Sequence, residues 1–409
     1  MLARRLCLAA LAFAPALAGC GGVGSSPVAQ SVGGQLTVYS GLPLQGPSAS
    51  ISQQIVGGEK LALADAGGRV GRFTVSYVSL DDSSPTSGAW DPGVTAANAK
   101  AVAQDPTTIA YLGDFDSGAT AISLPLINAA GILQVSPASP YVGLTSSLNA
   151  GQDEPERFYP TAKRTFGRVA QGDPVQAAAQ VALLRRLGVR RLYVLADQDP
   201  FDAPLAQIVA GDARRAGIEV RGDDTITIAP GSNFAGEVAK IAESGAQAVF
   251  VSATATSPAA LLWRRLHAAA LHLSLLASSS MLGSLFSSRL GAAEGATFLA
   301  TPVLATRLYP ASAQRVLAQY GRRFAAPSGP YVLYGYEAMS VVLAAIRAAG
   351  DRGDDRRAVI DRFFATRERN SSLGAYSIEP SGETSLSSYG IDRVVNGAPV
   401  FWRAFNAPR

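Results

Sequence analysis

From Leu36 onward the chain repeats one unit, a short β-rich run followed by a stretch of helical spacing that stops at or near a glycine. Leu36-Thr37-Val38-Tyr39-Ser40 predicts a strand, and Ile51 to Ala66 a helix that ends at Gly67-Gly68. Strand Phe73–Val78, helix Val94–Ala103, strand Ile109–Leu112, helix Ala119–Ala130 and strand Ile132–Val135 follow. Strand and helix alternating through short turns predict a parallel sheet covered on both faces. The pattern then restarts. Helix Val175–Leu187 stops at Gly188 before strand Leu192–Leu195, and helix Leu205–Ala216 stops at Gly217 before Ile218–Val220. Helix Ala235–Glu243, strand Ala248–Val251, helix Ala259–Ala270 and strand Leu273–Leu276 complete a second unit.

The expected fold class is therefore α/β, with two doubly wound parallel-sheet lobes in sequence. Roughly 370 residues after Gln35 suffice for two domains. The last hundred predict three helices (312–324, 332–349, 355–364) and a β-rich tail ending in Phe401-Trp402. That is too little for a third domain, so the tail must complete the first two. Doubly wound sheets bind ligands at the carboxyl ends of their strands. Two facing sheets make a cleft suited to a small molecule.

The N-terminus predicts export. Arg4 and Arg5 precede an apolar run from Leu6 to Leu17 that is too short for a convincing membrane span. The run ends in Leu17-Ala18-Gly19-Cys20, which resembles the lipobox of bacterial lipoproteins. That resemblance implies a signal peptide over 1–19, acylation at Cys20, and a lipid anchor at the outer face of a membrane. Residues 20–35, rich in Gly, Ser, Pro and Gln, have the composition of a flexible tether. Cys7 lies inside the signal, so the mature domain has no thiol pair for a disulfide.

Charge excludes some partners. The net charge is +4, two units of which belong to Arg4 and Arg5. The remaining Arg pairs are scattered and not interleaved with aromatics, so no nucleic-acid surface is expected. The only two histidines, His267 and His272, are not spaced to share a helix face, so no metal is expected. No nucleophile elbow, phosphate loop or dinucleotide fingerprint occurs, and neither catalysis nor a cofactor is expected.

Several segments, in order, resemble the type I periplasmic binding proteins of the leucine/isoleucine/valine-binding family. Gly41-Leu-Pro-Leu-Gln-Gly-Pro-Ser-Ala49 precedes the first helix, and Asp81-Asp82 follows the second strand. Tyr111-Leu112-Gly113 leads to Ser117 and Thr120, then Gly131 to Ser139. Asp173 and Gln176, Asp197 to Phe201, and Gly335 to Met339 complete the set. The resemblance implies a solute receptor of an ABC importer, with a membrane permease as partner, or a sensor on the same fold. It implies a monomer whose lobes (36–167 with 302–388, and 168–301 with 389–409) close about a hinge of three crossings, near Arg168, Thr301-Pro302 and Tyr389.

Ser117 reads in two ways: as the cap of a helix, or as a hydroxyl at a helix N-terminus that takes a ligand carboxylate. The resemblance favours the second. It also matches Ala138 and Ser139 to a second carboxylate loop, with Pro140 standing where a hydroxyl is expected. Asp173 reads as an N-cap before Pro174 or as the partner of a ligand ammonium. Phe201 reads as a core residue or, by the resemblance, as an aromatic lining the cleft. Thr254 and Ser279 stand where relatives that bind aliphatic amino acids carry an aromatic and an acid, so the ligand is expected to be an amino acid, an amide or another small solute. Asp114 and Asp116 flank the first-lobe site and read either as solvated or helix-capping acids or as partners of a cationic or polyhydroxy ligand. The insertion 83–90 reads as a flap on the cleft rim or as a surface loop anchored by its one aromatic, Trp90.

Overall fold

The computed structural model describes residues 34–85, 89–324 and 328–407. Cys7, Cys20, the signal segment and nearly all of the tether lie outside the described residues. The first half contains β1 (Gln35–Leu42), α1 (Ala49–Asp65), β2 (Arg69–Val70), β3 (Phe73–Asp81), α2 (Pro92–Gln104), β4 (Thr108–Gly113), α3 (Ser117–Ala129), β5 (Leu133–Ser136) and β6 (Phe166–Arg168). Then come α4 (Asp173–Arg186), β7 (Arg191–Asp197), α5 (Asp202–Arg215), β8 (Glu219–Ile226), α6 (Ala235–Glu243), β9 (Ala248–Ser252), α7 (Ser257–Ala269), β10 (Ser274–Ala277), α8 (Ser284–Ser287) and β11 (Thr297–Thr301). The tail adds α9 (Ala311–Phe324), α10 (Tyr331–Ala349), α11 (Arg356–Phe364), β12 (Arg369–Asn370), β13 (Ala375–Tyr376), β14 (Ser388–Val395) and β15 (Ala398–Asn406).

Two large sheets result. The first has order β2-β3-β1-β4-β5-β6, and only β2 is antiparallel to its neighbour. The second has order β15-β14-β11-β10-β9-β7-β8, parallel from β11 to β8 and antiparallel at β14 and β15. Strand order reverses between β1 and β4 in one sheet and between β7 and β9 in the other. Those are the switch points at which such sheets open a crevice beyond their strand ends.

Burial explains which strands were legible. Every residue of β4 and of β9 is buried, as expected of central strands covered on both faces. Strand β8 alternates exposed and half-buried residues at a sheet edge. It continues six residues past Val220 because Gly222, Asp223 and Asp224, poor strand formers, cost little at an edge. Helices α4 and α5 run out into Gly188 and Gly217, with φ of 71° and 77°, as the stop signals predict.

The tail divides between the lobes. Val332, Ile346, Val359 and Phe363 of α10 and α11 share a core with Leu36, Val38 and Ile109 of the first sheet. Strands β14 and β15 extend the second sheet instead. The chain thus passes between the sheets after β6, after β11 and before β14. Helices α1 and α10 cross closely enough that a Cβ on Gly335 would lie 2.0 Å from the carbonyl oxygen of Ile55. Among the described helices α10 alone is long and apolar enough to cross a membrane, and it is mostly buried as a core helix.

Candidate ligand-binding cleft

The loop after β4 builds one wall. Asp114 is fully buried, and its carboxylate accepts from Tyr111 Oη at 2.7 Å, Ser123 Oγ at 2.5 Å and Gln134 Nε2 at 3.3 Å. Burial pushes this acid up to about 6 against the pull of Ser123, Tyr111 and Thr120. Its backbone oxygen accepts from Ser136 Oγ (2.8 Å) and Ser139 Oγ (3.1 Å), which ties the loops after β4 and β5 together. Asp116 occupies the N-cap position of α3 without a capping bond from its side chain. It is half-buried, and burial, with Asp114 and Asp199 nearby, pushes its carboxyl up to about 7.

Helix α3 begins at Ser117, two residues before the apolar period does, because its first turn faces the crevice. Ser117 Oγ accepts from Tyr141 N–H at 3.3 Å, which leaves its own proton to donate. The first N–H groups of α3 have no partner within the helix, as in any helix N-terminus. The hydroxyl and the helix end together offer donors to a polar or anionic group.

The loop after β5 is held from both sides. Ala138 N–H and Ser139 N–H both donate to Ser136 Oγ, at 3.1 and 2.8 Å. Ser139 is fully buried, with its hydroxyl 2.6 Å from Thr120 Oγ1. Its side chain therefore braces the wall from behind. Arg168, fully buried at the end of β6, donates to Ser139 O (2.6 Å), Tyr141 O (2.9 Å) and Thr145 Oγ1 (2.9 Å), and pairs with Glu383 at 3.1 Å.

Asp173 grips the same loop from the second lobe. It is the first residue of α4, whose cap is Gly172. Its N–H donates to Pro140 O at 2.9 Å, and its Oδ2 accepts from Val142 N–H at 3.1 Å. Burial pushes this carboxyl up to about 8, opposed by Arg168 and reinforced by Glu383 and Asp202.

Phe201 reaches across from the loop after β7. Its N–H is fixed by Asp199 Oδ1 at 2.9 Å, and its ring meets that of Tyr141 edge-on with centroids 5.0 Å apart. Gly118 of α3 lies between two aromatics: a Cβ there would sit 2.6 Å from Trp90 Cζ2 and 3.1 Å from Phe201 Cε2. The insertion 83–90 is anchored through Trp90. Ser83 and Trp90 bridge its base, and the indole packs at the cleft beside Gly118; residues 86–88 lie outside the described residues.

Ser117, Phe201, Tyr141 and Trp90 are therefore contiguous, and Asp173 pins the loop behind them. Thr254 is exposed after β9. Ser279 belongs to a second cluster, after β10, where its N–H donates to Gln176 Oε1 at 2.7 Å and Tyr389 Oη donates to the same oxygen at 3.2 Å. Gln176 Nε2 is buried without a partner. Gln176 stands three residues after Asp173 on α4, a spacing that places both on one helix face and could have marked it as a site residue. Asp82 also escaped the site reading. It is fully buried at the end of β3 with neither oxygen hydrogen-bonded, and burial, then Asp114, Asp116 and Asp81, raise it to about 9.

Among the described residues no group of three or more His, Cys, Asp or Glu is placed to hold a metal. What the geometry offers is recognition: donors at α3, apolar walls from three aromatics, and two sheets joined by three crossings. This architecture is that of the type I periplasmic binding fold.

Comparison with known proteins gives the family. Residues 41–388 match the model for periplasmic binding proteins, and the chain belongs to that family. Its members are solute-binding proteins of ABC transporters rather than enzymes, and they work outside the cytoplasm. No curated protein sequence matches the chain. Among solved structures it is similar to the leucine-binding protein LivK of Thermotoga maritima, with 20% identity over 91% of this chain and 99% of that one, and a TM-score of 0.73. A substrate-binding protein of Desulfitobacterium hafniense in complex with leucine gives 18% identity, coverage of 90% and 100%, and a TM-score of 0.72. A solute-binding protein of R. palustris in complex with benzoate gives 17%, 91% and 97%, and 0.69.

Proposed function

We propose that this chain is the receptor of an ABC importer, anchored through a lipidated Cys20 and presenting a captured small solute to a membrane permease. The lobes would be 36–167 with 302–388 and 168–301 with 389–409, and the three crossings between the sheets would be the hinge. The observation that carries this reading is the meeting of Ser117 and Tyr141 from one sheet with Phe201 from the other around Gly118. A solute held there touches both lobes, so its binding favours the closed state.

The solute is proposed to be an amino acid, or an amide or acid of similar size. Ser117 and the α3 terminus take its polar head, and Phe201, Tyr141 and Trp90 take its apolar part. Neither Thr254 nor Ser279 brings an acid, so an ammonium group would be met by Asp116 or Asp173. Neighbours of the same fold bind leucine and benzoate, which spans both versions of this ligand.

A thermal-shift screen of the mature domain against amino acids, amides, short organic acids and polyols tests the reading. Ligand at about a hundred times its Kd adds roughly 2.7 kcal/mol to stability. A hit that Ser117→Ala weakens supports the site, and a hit indifferent to both Ser117→Ala and Phe201→Ala removes it. Cys20→Ala should release the protein from the membrane fraction; retention at the wild-type level would refute the anchor.

A further inference from the structure

Away from the cleft, the three segments that pass between the sheets are joined through one side chain of α10. Tyr334 is buried in the core of the first sheet. Its Oη donates to Pro302 O at 2.6 Å and, more weakly, to Gln171 Oε1 at 3.3 Å. Gln171 is buried as well, and its Nε2 donates to Ser388 O at 2.6 Å. Gln171 lies in the crossing after β6, Pro302 follows β11, and Ser388 is where the third crossing enters β14. One hydrogen-bonded chain therefore touches every crossing.

The second and third crossings are locked to each other. Thr301 pairs with Gly390 between β11 and β14, and a Cβ on Gly390 would lie 2.7 Å from Val303 O. Both are continuous with strands of the second sheet. The groups that grip them belong to the first: besides Tyr334, Tyr309 Oη accepts from Leu304 N–H at 2.8 Å, and Tyr309 shares the same core. A cavity of about 430 Å³ borders this network, lined by Gln171, Leu304, Tyr309, Tyr334, Leu386 and Ser388, so the segments have room to shift.

Rotating one sheet against the other would move Pro302 O and Ser388 O relative to Tyr334. Hydrogen bonds weaken steeply away from good distance and alignment. The two 2.6 Å bonds are at full strength in the arrangement seen here, in which Phe201 from one sheet meets Tyr141 from the other. They therefore favour that closed arrangement over any rotated one.

We propose that Tyr334 and Gln171 are positioning residues for solute capture, forming a single clasp that ties the three crossings and weights the protein toward its closed arrangement. The proposal rests on the reading of those crossings as a hinge. A solute that binds the closed form binds more weakly in proportion to the closed population lost.

The test needs no solute. Spin labels are placed on exposed helix positions of the two lobes, at Lys100→Cys on α2 and Glu243→Cys on α6, and the distance distribution is read by pulsed electron resonance. The parent chain, labelled alike, gives the background. Tyr334→Phe removes only the hydroxyl and should raise the population at the open distance about three- to tenfold, the range of a net hydrogen bond. Gln171→Leu should do the same, and the double variant should shift no further than the larger single shift, because both act on one network. A role in stability alone would lower Tm and leave the distances as they were. The proposal is overturned if both single variants keep the parent distribution, if either shifts it toward closure, or if their effects add. Phe201→Ala separates this from failure of the hinge: if it opens the protein while Tyr334→Phe and Gln171→Leu do not, the lobes move and only the clasp is refuted. If none of the three changes the distances, the hinge reading falls and the clasp with it.

Discussion

Phe201 and Tyr141 meet edge to face across the gap between the two sheets, their ring centroids 5.0 Å apart and their planes at 89°. The two rings come from different sheets, one from the loop after β7 and the other from the loop after β5. An edge-to-face pair contributes about 0.5–1.5 kcal/mol beyond its buried area. Phe201→Ala should therefore open the protein, seen as a larger radius of gyration in small-angle scattering. Affinity for the solute found by screening should fall about tenfold. An unchanged radius together with unchanged affinity would leave the pair as surface packing.

Ser117→Ala removes a hydroxyl whose one hydrogen bond among the described residues, from Tyr141 N–H, is long at 3.3 Å. The unliganded Tm should hardly move. Hydrogen bonds to charged groups contribute about 1.5–3 kcal/mol, so affinity for a carboxylate ligand should fall by roughly a factor of ten or more. Calorimetry with the ligand identified by screening reads this directly, and equal affinity would place the head group elsewhere.

Gly118→Ala tests the space between the aromatics. The added methyl would meet Trp90 Cζ2 at 2.6 Å and Phe201 Cε2 at 3.1 Å, so at least one ring must move. Solute affinity should drop more than fivefold with the fold intact by circular dichroism. Wild-type affinity would mean that neither ring borders the ligand.

The raised acids make stability fall with pH. Asp116, Asp173 and Asp82 bind protons more tightly in the folded state, at about 7, 8 and 9 against an ordinary 3.8. The stability this confers is complete below pH 4 and is lost as pH rises through those values. Urea midpoints should therefore decline between pH 5 and 9. Asp82→Asn should flatten the decline and raise stability at pH 8 by on the order of 1 kcal/mol. A slope unchanged in Asp82→Asn would show that Asp82 does not contribute to it.

Arg168→Ala should destabilise the protein by about 3–5 kcal/mol, as expected when one partner of a buried ion pair is removed. Arg168 is fully buried, holds Ser139 O, Tyr141 O and Thr145 Oγ1, and faces Glu383 at 3.1 Å. Urea denaturation measures the cost. A loss below about 1 kcal/mol would contradict the view that this side chain clamps the loop.

The sheets were readable because β4 and β9 are short apolar runs between glycine-punctuated helices, which is what burial on both faces demands. Strand β11 was read only as a crossing, since Thr297 and Thr301 at its ends blur so short a run. The first turns of α3 and α4 were placed late for a different reason. Ser117-Gly118 and Asp173-Pro174 carry no apolar period because they face the cleft or the neighbouring loop. Helix starts that serve a site break the pattern by which helices are recognised.

Local order along the chain decided the number of lobes, the direction of their strands and the position of Ser117 and Phe201 at strand ends. Hydrophobic period and turn chemistry act between near neighbours and so are written in sequence. Only the tertiary structure decided which distant polar groups meet each other. Ser139 turns to Thr120, Asp173 to Val142 N–H and Gln176 to Ser279 N–H, each across dozens of residues, while Trp90 folds over Gly118. A hydroxyl or carboxylate has the same chemistry whichever partner it meets, and that partner is set by packing between distant segments.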